Sequence, residues 1–253
     1  MMPGDVIIMK EAPTGTPDTF AYDSLDRLLS AYGETFSYDQ AGRRTDGGRG
    51  YDTAQPYHAL KSKMIGPNGY TYAYDANGNM KEIRDTGNNL LASFTWNAEN
   101  RLSTVTKNNV TKNGVIESYA YDADGNRIKE VAGTKTTRTF FPFYVEEKVG
   151  STTTVVKYYS FNGLTIAMKR GSDLRYLHTD HLGSNTLVTN ADGTLHSGQN
   201  YCAYGGKRTA TWYGSECDPT AVNPLPTDRT YTGQEQDGTG LIYFRARFMD
   251  PAP

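Results

Sequence analysis

Long apolar runs are missing from this sequence. The longest aliphatic stretch is Val6-Ile7-Ile8-Met9, against the roughly 20 residues that a membrane-spanning helix needs, so no transmembrane segment is read. An excess of one charge is missing as well: 26 basic residues face 28 acidic ones. The chain therefore carries no electrostatic footprint for nucleic acid or an anionic membrane as partner. The opening residues Met1-Met2-Pro3-Gly4-Asp5 lack a basic start followed by an apolar stretch, and no secretory signal is read there. That fits a cytoplasmic protein, export by another route, or excision from a longer chain. Cysteine is scarce: Cys202 and Cys217 are the only two, too few for a disulfide framework and without C-x-x-C spacing. They read as two unbonded thiols, with a bridge closing the loop between them as the alternative.

Large aliphatic residues are also few. Val, Ile, Leu and Phe number 43 of 253, about 17%, a level associated with disorder only when net charge is high. Here the net charge is −2, and 19 Tyr and 26 Gly fill the gap. A chain rich in Tyr, Thr and Gly reads as all-β.

Five segments repeat one pattern, aromatic-x-aromatic-Asp/Asn-x-x-Gly/Asn/Asp-Arg/Asn. They contain Phe20, Tyr22, Asp23, Asp26 and Arg27; Phe36, Tyr38, Asp39, Gly42 and Arg43; Tyr72, Tyr74, Asp75, Gly78 and Asn79; Phe94, Trp96, Asn97, Asn100 and Arg101; and Tyr119, Tyr121, Asp122, Gly125 and Asn126. Aromatics at i and i+2 share one face of a strand, and the pattern predicts that they stack on the pair of the next strand. The following Asp or Asn can accept from N–H groups further along the turn, and Gly, Asn or Asp three residues on tolerates positive φ. Each copy thus predicts one β-hairpin. The spacings between the second aromatics are 16, 36, 22 and 25 residues, and the long interval holds a loop or a degenerate copy around Gly47-Gly48-Arg49-Gly50. Units that cannot bury a face alone imply lateral stacking into an extended sheet or solenoid.

These segments resemble the YD repeats of bacterial RHS proteins, shared with C components of insecticidal toxin complexes, wall-associated proteins and teneurins. The second half resembles the RHS repeat-associated core. Tyr176-Leu177-His178-Thr179-Asp180-His181-Leu182-Gly183-Ser184 is similar to its hallmark segment, and Tyr201 to Gly205 to its tyrosine and glycine block. The run from Tyr231 through Gly233, Gly240, Arg245, Arg247, Asp250 and Pro251 is similar to its terminal signature. The resemblance implies an irregular segment over 1–19, YD hairpins over 20–170 and the core over 171–253. It implies a β-shell of stacked hairpins closed by a core plug, enclosing a C-terminal toxin or effector polypeptide released by self-cleavage. The family's cleaving acids lie beyond the Asp-Pro signature. Arg247 matches its supporting arginine, so a chain stopping at Pro253 is expected to be wall and plug without cleavage activity, and not an enzyme.

Other chemistry is weighed against plainer roles. His178, Asp180 and His181 are metal-capable types, but a strand sends His181 away from the other two; a turn capped by Asp180 is the expectation, with no metal and no cofactor. A triad from Ser184, His181 and Asp180 lacks a Gly-x-Ser-x-Gly turn. Glu146 and Glu147 would face opposite sides of a strand as solvated charges. Arg245 and Arg247 would share a strand face and pair with Asp237 or Glu235. No phosphate loop is present, since Asp46-Gly47-Gly48-Arg49-Gly50 lacks the following Lys-Ser/Thr. The tyrosine face offers a rival reading, a cell-surface module that stacks on glycans. Unpaired sheet edges predict self-association.

Overall fold

A computed structural model describes residues 6–9, 18–51, 59–65, 67–108, 115–208 and 225–251, with side chains from residue 19 onward except at 65 and 115. The architecture is an antiparallel meander of three sheets, and within each sheet every strand pairs with its sequence neighbours. A four-stranded sheet spans Val6–Met9 to Glu34–Thr35. A fifteen-stranded sheet runs from Gly50–Tyr51 to Leu195–Gly198, and a three-stranded sheet is built from Glu235–Gln236, Ile242–Tyr243 and Phe248–Met249. The large sheet continues unbroken through residues 170 and 171. Val6–Met9, read above as irregular, is a strand paired with Asp18–Tyr22; its run of four apolar residues suits an edge strand. Among the described residues, no helix is long and apolar enough to cross a membrane.

The repeated turn explains why the motif recurs. Asp23 Oδ1 accepts from the N–H groups of Leu25 and Arg27, and Asp75 and Asn97 do the same for Asn77 and Asn79 and for Glu99 and Arg101. The backbone closes each loop, as in Gly78 N–H to Asp75 O and Asp75 N–H to Asn79 O. Its last-but-one residue is left-handed in every copy: Asp26, Gly42, Gly78, Asn100 and Gly125 all have positive φ. At Gly125 a side chain is disfavoured by φ +86, and a Cβ there would also displace the Arg101 guanidinium, which would lie 1.7 Å away.

The aromatics act differently from the stacking expected. No ring pair forms between the aromatic pairs of successive repeats among the described residues. Instead the second aromatic reaches back to the preceding unit and donates to a backbone carbonyl. Tyr38 donates to Leu28 O, Trp96 to Met80 O and Tyr121 to Leu102 O, at 2.8–2.9 Å. Tyr74 reaches Leu60 O, and Tyr51 reaches Arg44 O, so the long interval contains a degenerate copy. The arginine ending one turn covers the aromatic of the next: Arg27 over Tyr38, Arg43 over Tyr51 and Arg101 over Tyr121, at 4.7–5.7 Å. A strand places its aromatics side by side, but a polar tip buried between strands must find an acceptor, and the neighbouring turn supplies one. Tyr121→Phe is expected to lower stability by about 1 kcal/mol, because the Leu102 carbonyl loses its donor; a urea melt measures it.

Bulges fall between Ala21 and Tyr22, Ala73 and Tyr74, and Ala120 and Tyr121. A bulge bends its strand and increases twist, so repetition at the same motif position curves the sheet in one sense. One face of the curve carries two apolar clusters. Phe94, Leu102, Val105 and Tyr119 pack with Leu241, and Val145, Val156, Tyr158, Met168, Leu177 and Val188 pack with Leu225. Both Leu225 and Leu241 come from the segment 225–251, which therefore covers that face of the sheet.

Candidate functional site

Two features converge on that face. The first is a cavity of about 680 Å³ between the strands and the end of the core. Phe94, Trp96, Tyr72 and Tyr74 line its sheet side, and Arg247, Phe248, Asp250 and Pro251 its core side. Burial is the largest cause that pushes the Tyr74 phenol up to about 12 and raises that of Tyr72. Both hydroxyls therefore stay neutral in the physiological range.

The second feature is the seam that fastens the core to the sheet. Arg127, eight per cent exposed, sends Nη1 to both carboxylate oxygens of Asp237 and Nη2 to Glu235, each at 2.8 Å. Its guanidinium lies over the rings of Tyr119 and Tyr243 at 5.2 and 4.4 Å. Glu117, fully buried, accepts from the Tyr119 and Thr239 hydroxyls. Tyr158 donates to Asp228 at 3.0 Å.

The sequence-derived sites fall as follows. Asp180 builds the same turn as the repeats: it accepts from Leu182 and Ser184 N–H, and Gly183 is left-handed. Ser184 is fully buried and its Oγ accepts from Thr232 N–H at 3.1 Å. His178 Nε2 lies 3.1 Å from Thr189 Oγ1, and His181 is exposed. Among the described residues no three His, Cys, Asp or Glu side chains come together as a metal site. His58 lies outside the described residues.

Three readings need correction. Arg245 and Arg247 do not share a strand face, because neither lies on a strand. They lie in the turn between Ile242–Tyr243 and Phe248–Met249, exposed, with Arg245 left-handed. The tight hairpin removes the strand geometry assumed for them, and Arg127 takes the carboxylates instead. Glu147 is not solvated: it is buried and ion-paired with Lys135 and Arg170, since a strand with one face covered turns alternate residues inward. Cys202 is buried and disulfide-bonded, not a free thiol; Cys217 lies outside the described residues.

Arg127 is the residue the motif reading passed over. Glu117 carried a usable signal, because it precedes Tyr119 and Tyr121 by two and four residues and so shares their face.

An antiparallel meander of Asp-turn hairpins with the segment 225–251 packed on one face defines an all-β repeat-sheet protein. The chain is 27% identical over 98% of its length to double-stranded DNA deaminase toxin A of Burkholderia cenocepacia (strain H111), and 26% identical over 63% of its length to toxin subunit YenC1 of Yersinia entomophaga. It spans only 19% and 18% of those two proteins. The crystal structure of TcdB2-TccC3 superposes with a TM-score of 0.51 at 19% identity, covering 99% of this chain and 16% of that one. No family model matches the chain. The likeness in sequence is thus to toxin proteins at 26–27% identity, and the likeness in fold is to the TcdB2-TccC3 structure.

Proposed function

We propose that this chain is wall and plug of an RHS-type shell that encloses a toxin polypeptide, the repeats through residue 170 forming wall and residues 171–253 the closing core. The observation that carries the reading is the 680 Å³ cavity between the sheet and the segment 225–251, with Asp250 and Pro251 among its lining residues. A chain leaving Pro251 starts at this cavity. The lining suits an unfolded segment, because aromatic rings accept many side chains while Lys63 and Asn79 supply polar contacts. In this reading the shell part contributes containment, and Arg247 lines the cavity together with Asp250 and Glu34.

The glycan reading has less support, because the Trp96 and Tyr121 rings pack against the cluster of Phe94 and Leu102, which leaves less of their faces to stack on a sugar. The two ends of the large sheet, Gly50–Tyr51 and Leu195–Gly198, offer edges where further strands of a longer shell would add.

The test is protease protection. The longest product of the reading frame containing this chain is digested under native conditions and after denaturation. Sequence following residue 253 should survive native digestion and disappear once the protein is unfolded. Equal digestion in both states would sink the reading.

A further inference from the structure

The core hairpin is fastened to the sheet by more acid than base. Asp237 and Glu235 from the hairpin, and Glu130 from the strand Arg127–Ala132, all face the Arg127 guanidinium, with Glu130 at 3.7 Å. Glu117, from the strand Val115–Tyr121, completes the cluster. Its Oε2 is hydrogen-bonded, while its buried Oε1 has no partner. Tyr119 and Tyr243 close the guanidinium from the sheet and hairpin sides.

Beside this cluster a cavity of about 10 Å³ is lined by Arg127, Lys129, Glu130, Tyr158, Asp228 and Glu235. It has room for about one water. Arg229 lies over the Tyr158 ring at 3.6 Å. One guanidinium cannot compensate the four carboxylates of Glu117, Glu130, Glu235 and Asp237, of which Glu117 and Asp237 are buried, so full ionisation leaves uncancelled negative charge between hairpin and sheet.

The geometry points to a proton-dependent latch: the seam holds the core hairpin on the sheet while it retains protons and loosens that hairpin as pH rises. Burial, reinforced by the neighbouring carboxylates, pushes Glu130 up to about 8 and Asp237 up to about 7, against ordinary values of 4.5 and 3.8. A carboxyl raised in the closed state binds protons that the open state releases. Its contribution is complete below the ordinary value and is lost as pH climbs through 7 to 8. The turn aspartates have the opposite sign. Asn79 and Asn126 donate to Asp75 and Asp122 and hold them below 3.8, so their contribution disappears only as pH falls through those lowered values. The two effects occupy different windows. The latch operates whatever the sheet encloses.

Hydrogen exchange on the chain at pH 6, 7, 8 and 9, corrected for the intrinsic pH dependence of exchange, is the test. Protection of peptides within 227–243 should fall at least ~10-fold between pH 6 and 9, while peptides within 145–188 retain theirs. Glu130→Gln removes one titrating group at nearly constant shape and should flatten the profile. Unchanged protection across the range, an equal loss over the whole sheet, or a wild-type profile in Glu130→Gln would each overturn the latch. Should Glu130→Gln fail to fold, carbon-detected NMR of the wild-type carboxyls decides. A carboxyl with a midpoint between 7 and 8 is expected, and titration of every carboxyl below pH 5.5 would refute it.

Discussion

Arg127→Ala is expected to destabilise the chain by about 3–5 kcal/mol, because it strands buried carboxylates that the guanidinium now neutralises. Asp237 is buried beside Glu117 and Glu130, and no other guanidinium makes an ion pair with Asp237 among the described residues. The loss should appear as a lower urea midpoint. It should concentrate in the core segment, seen as faster proteolysis within 225–251 before the sheet itself gives way. A distinguishing companion is Arg127→Met with Asp237→Asn and Glu235→Gln. Removing base and acid together relieves the uncompensated charge and should recover part of the loss. A triple variant no more stable than Arg127→Ala would show that the guanidinium acts through packing on Tyr119 and Tyr243 rather than through charge.

Leu241→Ala is the second large effect, expected at about 2–5 kcal/mol from lost burial plus the cavity left behind. Leu241 is four per cent exposed and packs into the cluster of Phe94, Leu102, Val105 and Tyr119. It joins a hairpin of the core to strands more than a hundred residues earlier. Equilibrium urea unfolding measures the change, and Leu241→Met, which nearly conserves volume, should cost less than about 1.5 kcal/mol. Equal losses for both variants would mean that backbone strain, and not apolar contact, dominates there. The left-handed Gly240 immediately before it makes that a fair comparison.

The parts of this fold that follow local rules are legible in the sequence. The Asp-x-x-Gly turn is written out at Asp39 and Gly42, at Asp75 and Gly78 and at Asp122 and Gly125, because one carboxylate and one left-handed residue suffice to close it. The middle of the large sheet lacks the aromatic motif. Its hairpins close with short turns such as Asn162-Gly163 between Thr152–Phe161 and Leu164–Arg170, a signal of the same local kind.

What the sequence does not show is which distant group answers which. Arg127 meets Asp237 across 110 positions, and nothing local announces that pairing; the place it occupies is held by Leu102 one repeat earlier. The aromatic pairs show the same limit. Period 2 puts Tyr119 and Tyr121 on one face, but only the assembled sheet shows that Tyr121 reaches Leu102 while Tyr119 meets Glu117. Arg245 and Arg247 were misplaced for a related reason: alternation was assumed through a segment that turns.

The account rests on one claim, that the repeats form a single curved wall with the core fastened to its inner face. Electron cryo-microscopy of the longest product of the reading frame tests it most directly. The account predicts a continuous wall of stacked hairpins around a lumen, with residues 225–251 lying against the luminal surface beside Arg127. Density placing that segment on the outer surface, or repeats folded into a closed two-sheet sandwich without a lumen, would contradict it.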